Sequence, residues 1–524
     1  MVDRLQRALS EPRDASSLAV FRMLFGLLML GSVARYFVYG WIDRFYVRPQ
    51  LHFSYWGFDW VQPLPQPGMT ILLVGLGVCA TLIAVGLAYR VAAGAFFVGF
   101  TYLHLLDVSN YLNHYYLVSL LALLLCVLPL HRTWSVDAWL RPSLRADTLP
   151  AWMTYLLRFQ VGIVYLFAAL AKVGPDWLLH GQPLGIWLHS RTDTPLIGPW
   201  LDEPAVALAM SWAGFLYDAT IVFWLSWRRS RPFAFAVVCA FHFMTHVFFS
   251  IGIFPIAMTI AVTVFFSDDW PRRLLARGRA VFSKVISRGA LEVERGFAPL
   301  ELPPNFGKAA NRASRERLRV FSSGEREGRE EARRRESSDP FLRDPPRSSR
   351  PSREMKLLPK WGVAVLAAWA LFHVLVPLRT HLYGGDPNWH EQGMRWAWRV
   401  MVREKNGDVS YRVRVNGEAR ERIFVPNDYL TREQEIEFAG QPDLILQLAH
   451  HIRDELTADG YRDVEVRADA FASLNGRRSA RLIDPEVDLA RVDDGVGPAA
   501  WILPAPEGPP IRLRSHREAQ LAGR

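Results

Sequence analysis

The chain has 524 residues, 50% of them hydrophobic and 21% charged, with a formal net charge of +10. That length allows more than one domain, and the average hides a split between an apolar first half and a polar remainder. Cys79, Cys126 and Cys239 all lie inside apolar runs, which argues against a disulfide framework or a thiolate metal site; the excess arginine sits in short loops and one linker, a membrane-topology signal rather than a nucleic-acid one.

The N-terminus is polar and charged, so no cleavable signal peptide is expected. A first apolar run, Ser17 to Phe37, carries Arg22 and Arg35 and leads into an aromatic interfacial loop, Tyr36 to Trp60. Thr70 to Tyr89, Val91 to Leu106 and His114 to Leu130 predict the second, third and fourth spans. Ala151 to Lys172, Ala205 to Ser226, Pro232 to Phe249 and Ile253 to Phe266 follow, the last two as a pair broken around Ser250-Ile251-Gly252, and Trp361 to Leu378 is the ninth. Arginines cluster before the first run and after the second, fourth, sixth and eighth, which places the N-terminus in the cytoplasm and the C-terminal part outside.

Residues 1–280 therefore read as a membrane-embedded domain, 281–358 as a disordered arginine-rich linker and 359–380 as the ninth transmembrane helix. Residues 381–500 change period. Val409 to Val415 alternates as a strand, Asn416-Gly417 signals a turn, and Arg422 to Val425 can pair back. Gln441 to Tyr461 predicts an amphipathic helix, and Asp463 to Ala470 with Arg477 to Ile483 a second strand pair. The expected fold is a polytopic α-helical membrane bundle of about nine spans with a C-terminal α+β, antiparallel-sheet-rich extracytoplasmic domain, ending in a loose tail, 501–524.

The run Ala151 to Lys172 is the most informative. Arg158, Tyr165 and Lys172 recur every seven residues and fall on one helical stripe, with Gln160 beside it. An ionisable group at membrane depth faces a protein interior or a wet cavity and often marks chemistry, so Lys172 is the first candidate; the competing reading has Arg158 and Lys172 snorkelling to opposite interfaces. Asn113-His114, Asp218 and the pair His242 and His246 are the other polar groups of the apolar half. The histidine spacing suits a metal, but neither the glutamate of a zincin nor a third ligand accompanies it, so no metal is expected. Asp218 is expected to pair with Arg22 or Arg158 inside the bundle, because a lone buried carboxylate is unfavourable.

Tyr165 through Trp177, with Lys172 followed by Asp176-Trp177, resembles the catalytic-lysine segment of the vitamin K-dependent gamma-glutamyl carboxylases. Ser17-Leu18-Ala19-Val20-Phe21-Arg22, Asn113-His114, Trp134-Ser135-Val136-Asp137, Phe249-Ser250-Ile251-Gly252 and Asp269-Trp270-Pro271-Arg272 are similar to that family's membrane segments, and Asn388-Trp389, Trp398 and Ile483-Asp484-Pro485 to its luminal domain. The membrane part also resembles the wider bacterial group sharing the HTTM domain.

The resemblance implies a lyase that couples oxygenation of reduced vitamin K or menaquinone to carboxylation of glutamyl residues, using O2 and CO2 in a lipid membrane such as the bacterial inner membrane. An unprotonated lysine removes a proton from the reduced quinone, oxygen adds, and the resulting alkoxide takes a gamma proton from glutamate; carbon dioxide captures the carbanion and the quinone leaves as its epoxide. A lysine, ordinarily near pKa 10.4, must be desolvated to serve as that base. Lys172 and His114 carry the catalytic roles, with Asn113, Tyr165, Gln160, Arg158 and His242 at the quinone and Arg395, Trp398 and Arg399 at a glutamate-containing substrate. Here Ala171-Lys172 replaces the family's usual lysine pair, and Gly393-Met394-Arg395-Trp396 replaces the animal enzymes' tyrosine-rich segment, which leaves a quinone epoxidase without carboxylation as the alternative. A non-enzymatic transporter or scaffold would use Lys172 and Asp218 as an ion site.

Overall fold

The computed structural model describes residues 2–249, 251–296, 357–511 and 515; most of the expected linker, the end of the tail and Ser250 lie outside them. A short helix, α1 (Val2–Leu9), precedes α2 (Ser16–Val38), α3 (Gln66–Val85), α4 (Tyr89–Leu105) and α5 (Asn113–Val127). Then come α6 (Ala151–Ala171), α7 (Pro204–Ser226), α8 (Arg231–Phe248), α9 (Phe254–Ala261), α10 (Trp270–Gly296) and α11 (Lys360–Leu378). Every predicted apolar run is helical, but only six, α2, α3, α6, α7, α8 and α11, are long and apolar enough to cross a membrane. The others are shortened by their ends. Leu128 is extended ahead of Pro129, which stops α5 after 15 residues, and α9 tightens into a 3-10 turn at Val262–Phe265. The last helix before the linker also departs from expectation, since α10 runs through position 280 to Gly296.

Two sequence motifs turn out to be structural clasps. Arg22, fully buried in α2, donates to Ile83 O (2.6 Å) and Ala84 O (2.7 Å), carbonyls of the last turn of α3, and to Trp134 O (2.6 Å). Asp137 in turn accepts from the backbone N–H groups of Ala88 (2.9 Å) and Tyr89 (3.0 Å), where α4 begins. The Trp134–Asp137 loop therefore clamps the α3–α4 turn, whose left-handed Gly86 leaves no room for a Cβ beside Ser135 and Arg22. A small ribbon, β1 (Pro12–Asp14) with β2 (Thr148–Pro150), ties the start of α2 to the start of α6.

The C-terminal domain is a four-stranded antiparallel sheet in the order β4-β3-β5-β6, with β3 Lys405–Arg414, β4 Arg422–Phe424, β5 Glu465–Leu474 and β6 Ala480–Arg481. Asn416 and Gly417 adopt the left-handed values (φ 52° and 70°) of the predicted turn. The long central pairing, Lys405↔Leu474 through Arg414↔Glu465, joins strands distant in sequence and was not foreseen. Val409, Tyr411 and Val413 on β3, with Val466, Ala468 and Ala470 on β5, bury one face against Leu444, Ile445, Leu448 and Ile452 of α12 (Pro442–Ala458), and the Tyr411 hydroxyl donates to Ile445 O at 2.8 Å.

The α2–α3 contact is backbone-close at Gly26, where a Cβ would lie 2.5 Å from Ala84 N and 2.6 Å from Ala80 O. Gly26→Ala should therefore lower the thermal midpoint, at a cost of about 1–3 kcal/mol. Gly31→Ala on the same helix, where a Cβ meets nothing within 4 Å, should leave the midpoint unchanged or raise it.

Candidate active site

Helix α6 ends at Lys172, whose backbone N–H caps Ala169 O, and whose side chain folds back into the bundle with the residue only 6% exposed. The Nζ donates to Asp218 Oδ2 at 2.9 Å, Ala168 O at 3.2 Å and Val400 O at 3.4 Å, and lies 5.1 Å from the Trp177 ring centre. The snorkelling alternative does not describe this lysine. Asp218 on α7 is 7% exposed, so the two form a buried ion pair. This corrects the expected pairing of Asp218. Arg22 is committed to carbonyls, and Arg158 lies 14 residues before Lys172, about 21 Å along a helix. Arg158 binds Val264 O (2.7 Å) and Phe266 O (3.0 Å) and approaches Asp268 (3.6 Å).

Beside the amine is a mainly apolar cavity of about 740 Å³, counting its open mouth, walled by α6, α7, α8 and α9 and closed by Val400 and Met401. Two of its polar groups, Tyr165 and His242, converge with Tyr217, which stands behind the lining. Tyr165 OH lies 3.3 Å from Tyr217 OH and 3.3 Å from His242 Nε2, and Tyr217 OH lies 3.4 Å from the same nitrogen. His242 Nδ1 is buried and has no hydrogen-bond partner among the described residues. A quinone oxygen is the kind of group such an imidazole and pair of phenols can hold, as donors or acceptors.

His114 and Asn113 line a second, larger cavity, about 1600 Å³ including its mouth, with Arg35, Tyr36 and Glu437. Ile251, Phe254, Val400 and Met401 belong to both cavities. The Phe254 ring stands 5.9 Å from His114 and 6.1 Å from His242. The structure thus brings Lys172, Tyr165 and His242 together and sets Asn113 and His114 in the adjoining chamber. Gln160 is elsewhere, fully buried and accepting from Trp369 Nε1 of α11 at 3.2 Å.

In the outer domain, Arg395 is held by Asp443 and by Gln441 Oε1 (2.5 Å), and Arg399 donates to Asn388 Oδ1 at 2.9 Å, so both guanidinium groups are engaged. Trp398 is fully buried and stacks on Tyr116 at 4.8 Å, while Asn113 Nδ2 donates to Arg399 O at 3.3 Å. The loop carrying them is strained, with Trp396, Trp398 and Met401 at φ 64°, 56° and 53°. Its packing presses Val400 and Met401 against the membrane cavity. Sequence reasoning missed this roof. It also missed Tyr217, whose signal was its place beside Asp218 in an apolar helix.

A second clasp joins the outer domain to the lysine segment. Arg477 donates to both oxygens of Asp176 (2.7 and 2.6 Å), and Asn475 Nδ2 adds a third bond at 2.9 Å. Burial alone would push the Asp176 carboxyl up; the hydrogen bonds from Arg477 and Asn475 hold it below the usual carboxylate value.

A bundle with six helices long and apolar enough to cross a membrane, holding a buried lysine cavity roofed by a sheet domain, defines a polytopic membrane protein. Residues 10–270 match the HTTM domain family, and residues 358–508 match the vitamin K-dependent gamma-carboxylase lumenal domain. The chain belongs to the vitamin K-dependent gamma-carboxylase family. No solved structure matches it.

Arg477→Ala should destabilise the protein by roughly 1.5–3 kcal/mol, the range for hydrogen bonds to charged groups, read as a lower thermal midpoint at neutral pH. Because the folded carboxyl of Asp176 titrates below its unfolded value, this stabilisation is present above about pH 4 and is lost as pH falls through the folded value. The gap between wild type and variant should therefore close in acid.

Proposed function

We propose that the protein is a vitamin K-type naphthoquinone-dependent carboxylase that couples oxygenation of the reduced quinone, with O2, to carboxylation of glutamyl residues with CO2. The observation that carries this reading is the Lys172 amine, shut into a mostly apolar cavity with a carboxylate 2.9 Å away. Asp218 Oδ2, 2.9 Å away, is placed to take a proton from Nζ and so leave the amine unprotonated when it acts. The freed amine is the base for the quinone hydroxyl. Tyr165 and His242, themselves positioned by Tyr217, orient the quinone oxygens, and the Phe241, Phe254 and Met258 walls keep out water that would quench a strong base.

His114 and Asn113 act from the neighbouring chamber, where the glutamyl side chain is presented beneath the outer domain. Arg395, Trp398 and Arg399 contribute by shaping the Val400–Met401 roof. Arg158 and Gln160 anchor α6 to its neighbours rather than contact the quinone. The arginine-rich loops support nine crossings, a cytoplasmic N-terminus and an extracytoplasmic C-terminal domain, in a bacterial inner membrane.

A second reading, quinone epoxidation without carboxylation, draws support from one observation: both arginines expected at the glutamyl carboxylate are engaged within the protein. Purified protein given reduced menaquinone or vitamin K should form epoxide and fix labelled CO2 into a glutamyl peptide. Lys172→Ala should lower epoxidation by about 10²–10⁴-fold, the contribution of a positioned general base. Undiminished epoxidation in that variant would remove Lys172 as the base, and epoxide without fixed CO2 would select the second reading.

A further inference from the structure

We infer that the arginine-lined recess at the opposite end of α6 from Lys172 binds the phosphodiester headgroup of an anionic phospholipid. Arg13, Arg158, Arg228, Arg231 and Arg273 line an open recess of about 1040 Å³, counting its mouth, against Asp14, Asp268 and Asp269. The carboxylates are already used. Asp268 lies 3.6 Å from both Arg13 and Arg158, Asp269 pairs with Arg273 at 2.7 Å, and Asp14 with Arg272 at 3.0 Å. Arg231 donates only to the carbonyls ending α7, Leu225 O (2.8 Å) and Ser226 O (3.2 Å), and Arg228 makes no hydrogen bond or ion pair among the described residues. Among the described residues, neither guanidinium therefore has a carboxylate within ion-pair distance, and the nearby Asp268, which Arg231 also feels, is shared with Arg13 and Arg158. A phosphodiester supplies two acceptor oxygens and a full negative charge in the geometry a guanidinium prefers.

The surroundings place this recess at headgroup depth. Trp224, Trp227 and Phe233, at the same end of α7 and α8, are 47%, 58% and 72% exposed, as in the aromatic belt of a membrane interface. Helix α10 leaves directly from the recess and exposes Leu274, Leu275, Val281 and Phe282 (61%, 47%, 62% and 68%), positions that form one helical stripe. Exposed Arg277, Arg279 and Lys284 accompany them. A basic helix with an exposed apolar stripe lies in the plane of a membrane surface and gains from anionic lipid. A zwitterionic lipid carries its own cation into the recess and leaves Arg228 and Arg231 uncompensated. The site is independent of the reaction proposed above.

The test uses the full chain in phosphatidylcholine nanodiscs with and without phosphatidylglycerol, with native mass spectrometry counting the lipids that remain bound on release. Phosphatidylglycerol should be retained and phosphatidylcholine lost. Arg228→Glu should weaken retention by at least fivefold, given about 1 kcal/mol per cationic side chain near an anionic surface. Its thermal midpoint in phosphatidylcholine alone should not change, because Arg228 has no partner to lose among the described residues; Arg231→Gln is the second variant. Equal retention of both lipids, unchanged retention in both variants, or displacement of phosphatidylglycerol by millimolar inorganic phosphate would each overturn the assignment of a lipid site.

Discussion

The buried ion pair between Lys172 and Asp218 is the constraint to which the rest of the membrane half answers. Two charges removed from water are tolerated only when each is satisfied, and here the lysine also has the carbonyls of Ala168 and Val400. That requirement brings α6 and α7 together at one depth and makes a loop of the outer domain part of the same site. A lysine held this way sits beside an apolar hollow without being exposed to bulk water.

The outer domain is more than an appendage to that bundle. Its strained Trp396–Met401 loop roofs the lysine cavity, and Arg477 and Asn475 grip Asp176 just beyond the lysine. The sheet domain thus touches the lysine segment from two sides. The two chambers divided by Phe254 differ in character, one mostly apolar and one lined by Arg35, Asn113, His114 and Glu437, and they share Ile251, Phe254, Val400 and Met401 as a wall.

Several polar residues of the membrane half are committed to architecture. Arg22 and Asp137, far apart in the chain, finish and start consecutive helices through the same loop, so neither is free to act on a substrate. Arg158 and Gln160 share the α6 sequence pattern with Lys172 but are spent on neighbouring backbone and on Trp369. A polar residue in an apolar helix announces that it has a partner; it does not announce which one.

Much was legible without coordinates. Apolar runs long enough to be helices, the turn at Asn416-Gly417, the alternation in β3 and the isolation of Lys172 near the end of α6 are local properties, set by side-chain chemistry and spacing along the chain. The partner of Asp218, the pairing of β3 with β5, the Phe254 partition between His114 and Lys172, and the roof made by Val400 and Met401 were decided only in three dimensions. Each depends on how elements far apart in the chain pack, and packing is chosen by the sum of many burials and close contacts that no single stretch of residues records.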